Sequence, residues 1–475
     1  MKQHTRKQAT FAQSLVILVL CIGILMISII VLRQDPQIPL LIASMVCVIY
    51  AAYIGIPWKE IEQKATSVIS ESIQAMIIIM LIGMLVGSWM SSGTVPYIIY
   101  WGLRLLSPSF FLVASLFICS IMSMATGSSW TTMGTIGVAL MGVGYGLGIP
   151  VGITAGSVVC GAYFGDKQSP LSDTSNFAAA VAKVDIYDSV RSMIYSTGPA
   201  MLFSAVLFTV MGFRYSSQTV NAVEVDIMLE GISAVFNMSP LLLLPPLVLI
   251  TLVIKKVPAI PGMIAGILLG VILTVTLQGE SLRNALGYLM TGFVGNTGIE
   301  KIDMLLTRGG MNSMMFTVSL MFVSLFMASL LETTGVTYAL LSKLTKVVNN
   351  LVGLAATTIF SGIVLNFFAA DPYLATLLPA RTFAPAYDAL GLDRKVLSRT
   401  IQDGGIVFAP LVPWGSNGIY AAAVLGVPVL AYMPYYFMYV TPIVSIICAA
   451  TGFGIWYTDG RERKAKESPV MEREM

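Results

Sequence analysis

Stretches of about 20 predominantly apolar residues, the length a helix needs to cross a bilayer, recur along the whole chain. Residues 14–32, 38–56, 73–90 and 434–457 are examples. Charged residues make up only 11% of the 475 residues, and 56% are hydrophobic. A soluble domain carries roughly 25% charged residues, so this chain cannot cover its own surface in water. An outer-membrane barrel would alternate apolar and polar residues, which runs such as Leu241, Leu242, Leu243 and Leu244 exclude. The expected fold is an all-α polytopic membrane protein with roughly 10–12 spans at that length rule. Lipid is the expected partner, and no nucleic acid is.

The placement of charge says more than the net +3. Lys2, Arg6 and Lys7 precede the first span, and Arg461, Arg463, Lys464 and Lys466 follow the last. The positive-inside rule puts both termini in the cytoplasm. Lys59 and Lys64, after the second span, fit the same side. No small-residue cleavage site follows the first apolar segment, which therefore reads as a retained helix. Cys21, Cys47, Cys119, Cys160 and Cys448 are scattered singly, and His4 is the only histidine. A transition-metal site, a haem ligand and an intramembrane histidine relay are thereby excluded, and no cofactor is expected. A membrane enzyme would need a nucleophile with a base or a metal cluster, so none is expected. Proton chemistry inside the bilayer falls to carboxylates.

The chain echoes itself. Gly335 lies 242 residues after Gly93, each between two apolar helices. At that offset Thr126, Gly127, Ser128, Ser129 and Trp130 fall on Phe368, Ala369, Ala370, Asp371 and Pro372. Ser169 to Asp173 match Ala409 to Pro413 at an offset of 240. The expected division is a first half at 1–213, a polar linker at 214–237, a second half at 238–460 and a basic tail at 461–475. Helices break inside a membrane only where protein or a water-filled cavity satisfies the freed backbone groups, so matched breaks in two halves point to a binding site.

Four breaks stand out. The first carries Thr126, Ser128, Ser129, Thr131 and Thr132, hydroxyls that suit a small hard cation or close helix packing. The second runs from Gly161 to Asn176 and holds Asp166, Lys167 and Pro170, with Asp173 among Ser172, Thr174, Ser175 and Asn176. Asp166 and Lys167 are a candidate ion pair, which would lower the cost of charge at the bilayer centre. A buried carboxylate ringed by neutral oxygens holds either sodium or a proton, because burial disfavours its charged form. A plain turn would use the same residue types. The third break holds Asn366, Asp371, Tyr373 and Arg381; the fourth holds Gln402, Asp403, Trp414, Ser416 and Asn417. Asp371 and Asp403 are candidate second carboxylates or helix caps. Arg381 suits an anion clamp or a charge pair, and Lys167 shares the first of these roles. Glu71 and Glu332 read as interfacial, and Arg394, Lys395 and Arg399 as a cytoplasmic loop.

The strings TGSSWTTMGTIGVALMGVG and GAYFGDKQSPLSDTSN closely resemble the NhaC family of bacterial sodium/proton antiporters, and the resemblance extends from residues 34–43 to Trp414. It implies inverted repeats with broken helices and re-entrant hairpins, a homodimer, a bacterial cell-membrane location, and transported Na+ and H+. It assigns Thr126, Ser128, Ser129, Asp166, Ser172, Asp173, Thr174 and Asn176 to motif positions, with Asp371, Asp403, Ser416 and Asn417 as second-half candidates. The family often has an acidic residue before Asp403, where this chain has Gln402. The implied function is exchange of cytoplasmic Na+ for external H+. The alternative is an organic-acid exchanger of the malate/lactate kind or an amino-acid carrier. A passive channel would call for a repeated filter motif that the sequence lacks.

Overall fold

The computed structural model describes residues 9–216, 222–255, 257–344, 350–369 and 371–458. Both basic termini lie outside these residues. The helices of the first half are α1 (Phe11–Met26), α2 (Gln37–Ile54), α3 (Trp58–Ser91), α4 (Thr94–Leu105), α5 (Pro108–Thr126), α6 (Ser129–Thr132), α7 (Val138–Gly146), α8 (Val151–Lys167), α9 (Asp173–Ala182) and α10 (Ile186–Ser216). There follow α11 (Ala222–Val235), α12 (Leu244–Ile254), α13 (Ala259–Thr276), α14 (Leu282–Thr291), α15 (Glu300–Leu306), α16 (Met311–Thr333) and α17 (Val336–Leu344). The chain continues through α18 (Leu351–Ala369), α19 (Pro372–Ala389), α20 (Arg394–Gly405), α21 (Ser416–Leu425), α22 (Val429–Tyr432) and α23 (Val440–Thr451). Among the described residues there are two isolated β-bridges and no strand.

Among the described residues six helices are long and apolar enough to span a bilayer, or up to eight if two bent helix pairs each count as one span. Three shorter apolar helices accompany them. Fewer elements than expected cross as single rods, because the polar breaks cut apolar stretches into pieces. The region read as a polar linker contains α11, whose Met228 and Ile232 are buried together with Phe236 just beyond it. Lys64 reaches from α3 to Glu332 of α16 at 2.7 Å.

The elements repeat. α3 and α16 end at Ser91 and Thr333, 242 residues apart, and Gly93 and Gly335 follow with φ of +85° and +71°. From there the spacing is 243. α5 and α18 begin at 108 and 351, and α9 and α21 at 173 and 416. Lys183 and Gly426, which close α9 and α21, are both left-handed. This corrects the offset of 240 read from the sequence around Asp173. α8 runs on to Lys167, whereas α20 stops at Gly405 and a 3₁₀ turn follows at Ala409–Leu411, so similar Pro-Leu strings sit at non-equivalent places.

Contacts repeat as well. A Cβ on Gly161 would meet the Leu116 carbonyl oxygen at 2.3 Å, and one on Gly404 would meet that of Ile359 at 2.3 Å. The Ser123 hydroxyl donates to the Ala162 carbonyl at 2.6 Å, and the Asn366 amide to the Gly405 carbonyl at 2.5 Å. Each second-half residue lies 243 after its first-half equivalent. Small residues at such crossings let backbones approach without lipid between them. The packing of α8 on α5 is thus repeated by α20 on α18, and it carries the polar breaks to one place.

Candidate functional site

α5 ends at Thr126 because Gly127 turns left-handed, at φ +66°. Among the described residues Thr126 donates only to the local carbonyls of Ser123 and Ser128, at 3.4 Å. Ser128 caps the restarted helix by accepting from the Thr131 amide at 3.1 Å, which satisfies a backbone donor freed by the break. Asp371 does the same for α19, accepting from the Leu374 amide at 2.9 Å. Ser129, one residue into α6, is 4% exposed and donates to Asp166 Oδ2 at 2.7 Å.

Asp166 lies in the last turn of α8, 4% exposed. Ser172 sits beside its carboxylate. Among the described residues, Asp166 Oδ1 is buried without a hydrogen-bond partner. A buried carboxylate oxygen left in that state is costly, and a cation or a proton would satisfy it. Among the described residues no three of His, Cys, Asp and Glu gather around a metal position. A cation here must draw on hydroxyls, carbonyls and single carboxylates.

Lys167 does not pair with Asp166. Its ammonium bonds Asp403 Oδ1, across the interface between the halves, and Ser196 donates to the same oxygen at 3.2 Å. Both charged side chains are at most 1% exposed. The lysine already occupies the place a cation would take at Asp403, although Asp403 Oδ2 has no hydrogen-bond partner among the described residues. Gln402 accepts from Ser175 at 3.4 Å. Arg399 is not in a loop: it is 1% exposed within α20 and donates to the Gly454 carbonyl at 2.8 Å. Its neighbour Arg394, at the start of the helix, forms an outlying ion pair with Asp388.

The hydroxyl-ringed Asp173 is exposed rather than buried. Its carboxylate accepts from the Thr174 amide and from the Tyr373 hydroxyl, each at 2.8 Å. Thr174 shares its hydroxyl with Ser172 at 2.9 Å, and Asn176, also exposed, binds the carbonyls of Pro170 and Ser172. Arg381 is exposed and has no ion pair among the described residues. Ser416 and Asn417 are buried at the start of α21, where Asn417 accepts from the Trp130 indole at 2.7 Å. Trp130 also stacks on Tyr420, with centroids 4.2 Å apart and planes 6° apart.

This last contact has a mate. Residue 373 is the equivalent of 130, and 177 is the equivalent of 420. Tyr373 meets Phe177 edge-on, with centroids 5.1 Å apart. The first half reaches into the second at one place, and the second reaches into the first at its equivalent. Sequence reading placed the breaks but missed Trp130, Tyr420, Ser196 and Arg399 as members of the assembly. Trp130 sits inside the hydroxyl cluster, between Ser129 and Thr131, and that position was the available signal.

The first, second and fourth breaks meet at the buried carboxylates Asp166 and Asp403, and the third meets the exposed Asp173 through Tyr373. The model of the Na+/H+ antiporter family matches residues 161–453, which include three of the four. The chain is 38% identical over 451 residues to the Na(+)/H(+) antiporter NhaC of Alkalihalophilus pseudofirmus, covering 94% of this chain and 97% of that protein. The chain belongs to the Na+/H+ antiporter family. This family member is also 36% identical over 432 residues to the malate-2H(+)/Na(+)-lactate antiporter of Bacillus subtilis, across 91% of this chain and 92% of that one. It is 35% identical over 460 residues to the arginine/ornithine antiporter ArcD of Halobacterium salinarum, across 96% and 95%.

Proposed function

We propose that this antiporter exchanges cytoplasmic Na+ for external H+ at the carboxylate of Asp166. The observation that carries the reading is Asp166 Oδ1, buried without a partner while Oδ2 is held by Ser129. The site offers one negative charge and neutral oxygens from Ser129 and Ser172. Sodium and a proton satisfy the same oxygen, so they compete for it. Only the loaded carboxylate can cross the low-dielectric interior cheaply, and that makes the exchange obligatory. Asp173, exposed and within electrostatic reach of Asp166, captures the cation at the mouth. Ser128 and Asp371 hold the broken helices in shape.

The function is transport without a catalytic step or a cofactor. By the same reading the halves are inverted repeats that rock against each other, and the protein is a homodimer of the bacterial plasma membrane. Both termini face the cytoplasm, which the basic residues at either end of the sequence support.

The test is a vesicle loaded with a pH-sensitive dye and holding an inside-acid gradient. Sodium alone should dissipate the gradient. Asp166→Asn should abolish the effect, and Asp173→Asn should raise the sodium KM several-fold with little change in maximal rate. A second reading is exchange of an organic acid or an amino acid, which the names of two relatives favour. If sodium alone does nothing and malate with lactate, or arginine with ornithine, is required, that reading replaces the first.

A further inference from the structure

We propose that the aromatic pairs Trp130–Tyr420 and Tyr373–Phe177 are two gates over the Asp166 site that close in turn. The inference rests on the alternating exposure that antiport requires. Each pair joins one residue of the first half to one of the second, at positions 243 residues apart. Trp130 is the residue after Ser129, which holds Asp166. Tyr373 holds Asp173 and lies within electrostatic reach of Asp166 and Asp371. Both gates therefore border the one carboxylate.

Equivalent positions are in unequal states. The Trp130 and Tyr420 rings stack in parallel planes, and two hydrogen bonds fasten them: the indole to Asn417, and the Tyr420 hydroxyl to the Trp130 carbonyl at 2.6 Å. Tyr420 is 0% exposed. The Tyr373 ring meets Phe177 at 89°, is 37% exposed, and has one hydrogen bond, to a carboxylate that is itself exposed. The first pair is shut and the second stands at the solvent face. A two-fold relation between the halves makes the reverse arrangement available to the same backbone: rocking the halves that frees Trp130 from Tyr420 brings Tyr373 flat onto Phe177. The site then faces the other side of the membrane.

The experiment uses a thiol reporter in the full-length protein with its five native cysteines replaced. Thr174→Cys sits at the Tyr373 gate, next to Asp173. Its labelling rate by a charged maleimide in detergent reports how open that gate is. Tyr420→Ala weakens the distant Trp130 gate and should slow labelling about fivefold, since an aromatic pair is a modest interaction and shifts populations accordingly. Tyr420→Phe keeps the ring, drops the hydroxyl bond, and should give a smaller change in the same direction even if the alanine variant does not fold. Phe177→Ala should leave the rate at the parent value or above. Equal rates in all variants, or slowing by Phe177→Ala as well, would overturn the gates. The readout is labelling and not ion flux. A protein that shows these shifts yet moves no protons with sodium would sink the Na+/H+ reading and leave the gates standing.

Discussion

Lys167 and Asp403 are at most 1% exposed and depend on each other. Removing one partner of a buried pair leaves an unpaired charge and costs ~3–5 kcal/mol, whereas replacing both with apolar groups is often neutral. Lys167→Met and Asp403→Leu should each lower the unfolding temperature in detergent markedly, and the double variant should recover most of the loss. Additive losses would mean that the two residues act separately. The sequence suggested Asp166 as the partner of Lys167 because they are neighbours. On a helix, residues one apart do not face each other. Asp166 therefore turns to Ser129 and Lys167 to Asp403. Arg399 was hidden by its company: Arg394 and Lys395 mark a helix start near solvent, and Arg399, one turn further in, is already buried.

Helices here are placed by what they lack. Gly161 on α8 and Gly404 on α20 each leave room for one carbonyl oxygen, at 2.3 Å from the position of an added Cβ. A methyl group there forces the helices apart, and overpacking of this kind costs ~1–3 kcal/mol. Gly161→Ala and Gly404→Ala should destabilise by similar amounts in thermal unfolding, because their surroundings are equivalent. Gly23→Ala, with nothing within 4 Å, should be neutral or slightly stabilising, as expected for alanine in a helix. A large difference between the first two would show that the equivalence does not extend to energetics. The apolar runs and their polar breaks were legible in the sequence, since lipid and backbone chemistry dictate them. The register of the second half was not, because it depends on how far α20 continues before its 3₁₀ turn, a matter of packing and not of composition.

At the scale of the molecule, repeated backbone carries chemistry that does not repeat. The equivalents of Asp166 and Lys167 are Ala409 and Pro410, and the equivalent of Asp403 is Cys160. Conserving the crossings asks only for small residues and caps in each half, which explains why the halves share architecture with little identity. On the proposed reading the first half supplies the exchanging carboxylate, and the second supplies Asp403, already neutralised by Lys167. If Asp166 is the exchanging carboxylate, each chain has one exchangeable cation site. Sodium-dependent transport should then saturate with a Hill coefficient of about 1, the limit for a single site. One sodium ion should bind per chain, and Asp166→Asn should remove that binding altogether. Asp403→Asn tests the assignment from the other side: it frees Lys167, so it should destabilise the protein without lowering the number of ions bound by the fraction that stays folded. A coefficient well above 1, or a bound ion lost with Asp403→Asn, would mean that Lys167 yields its place and that the second half carries a cation too.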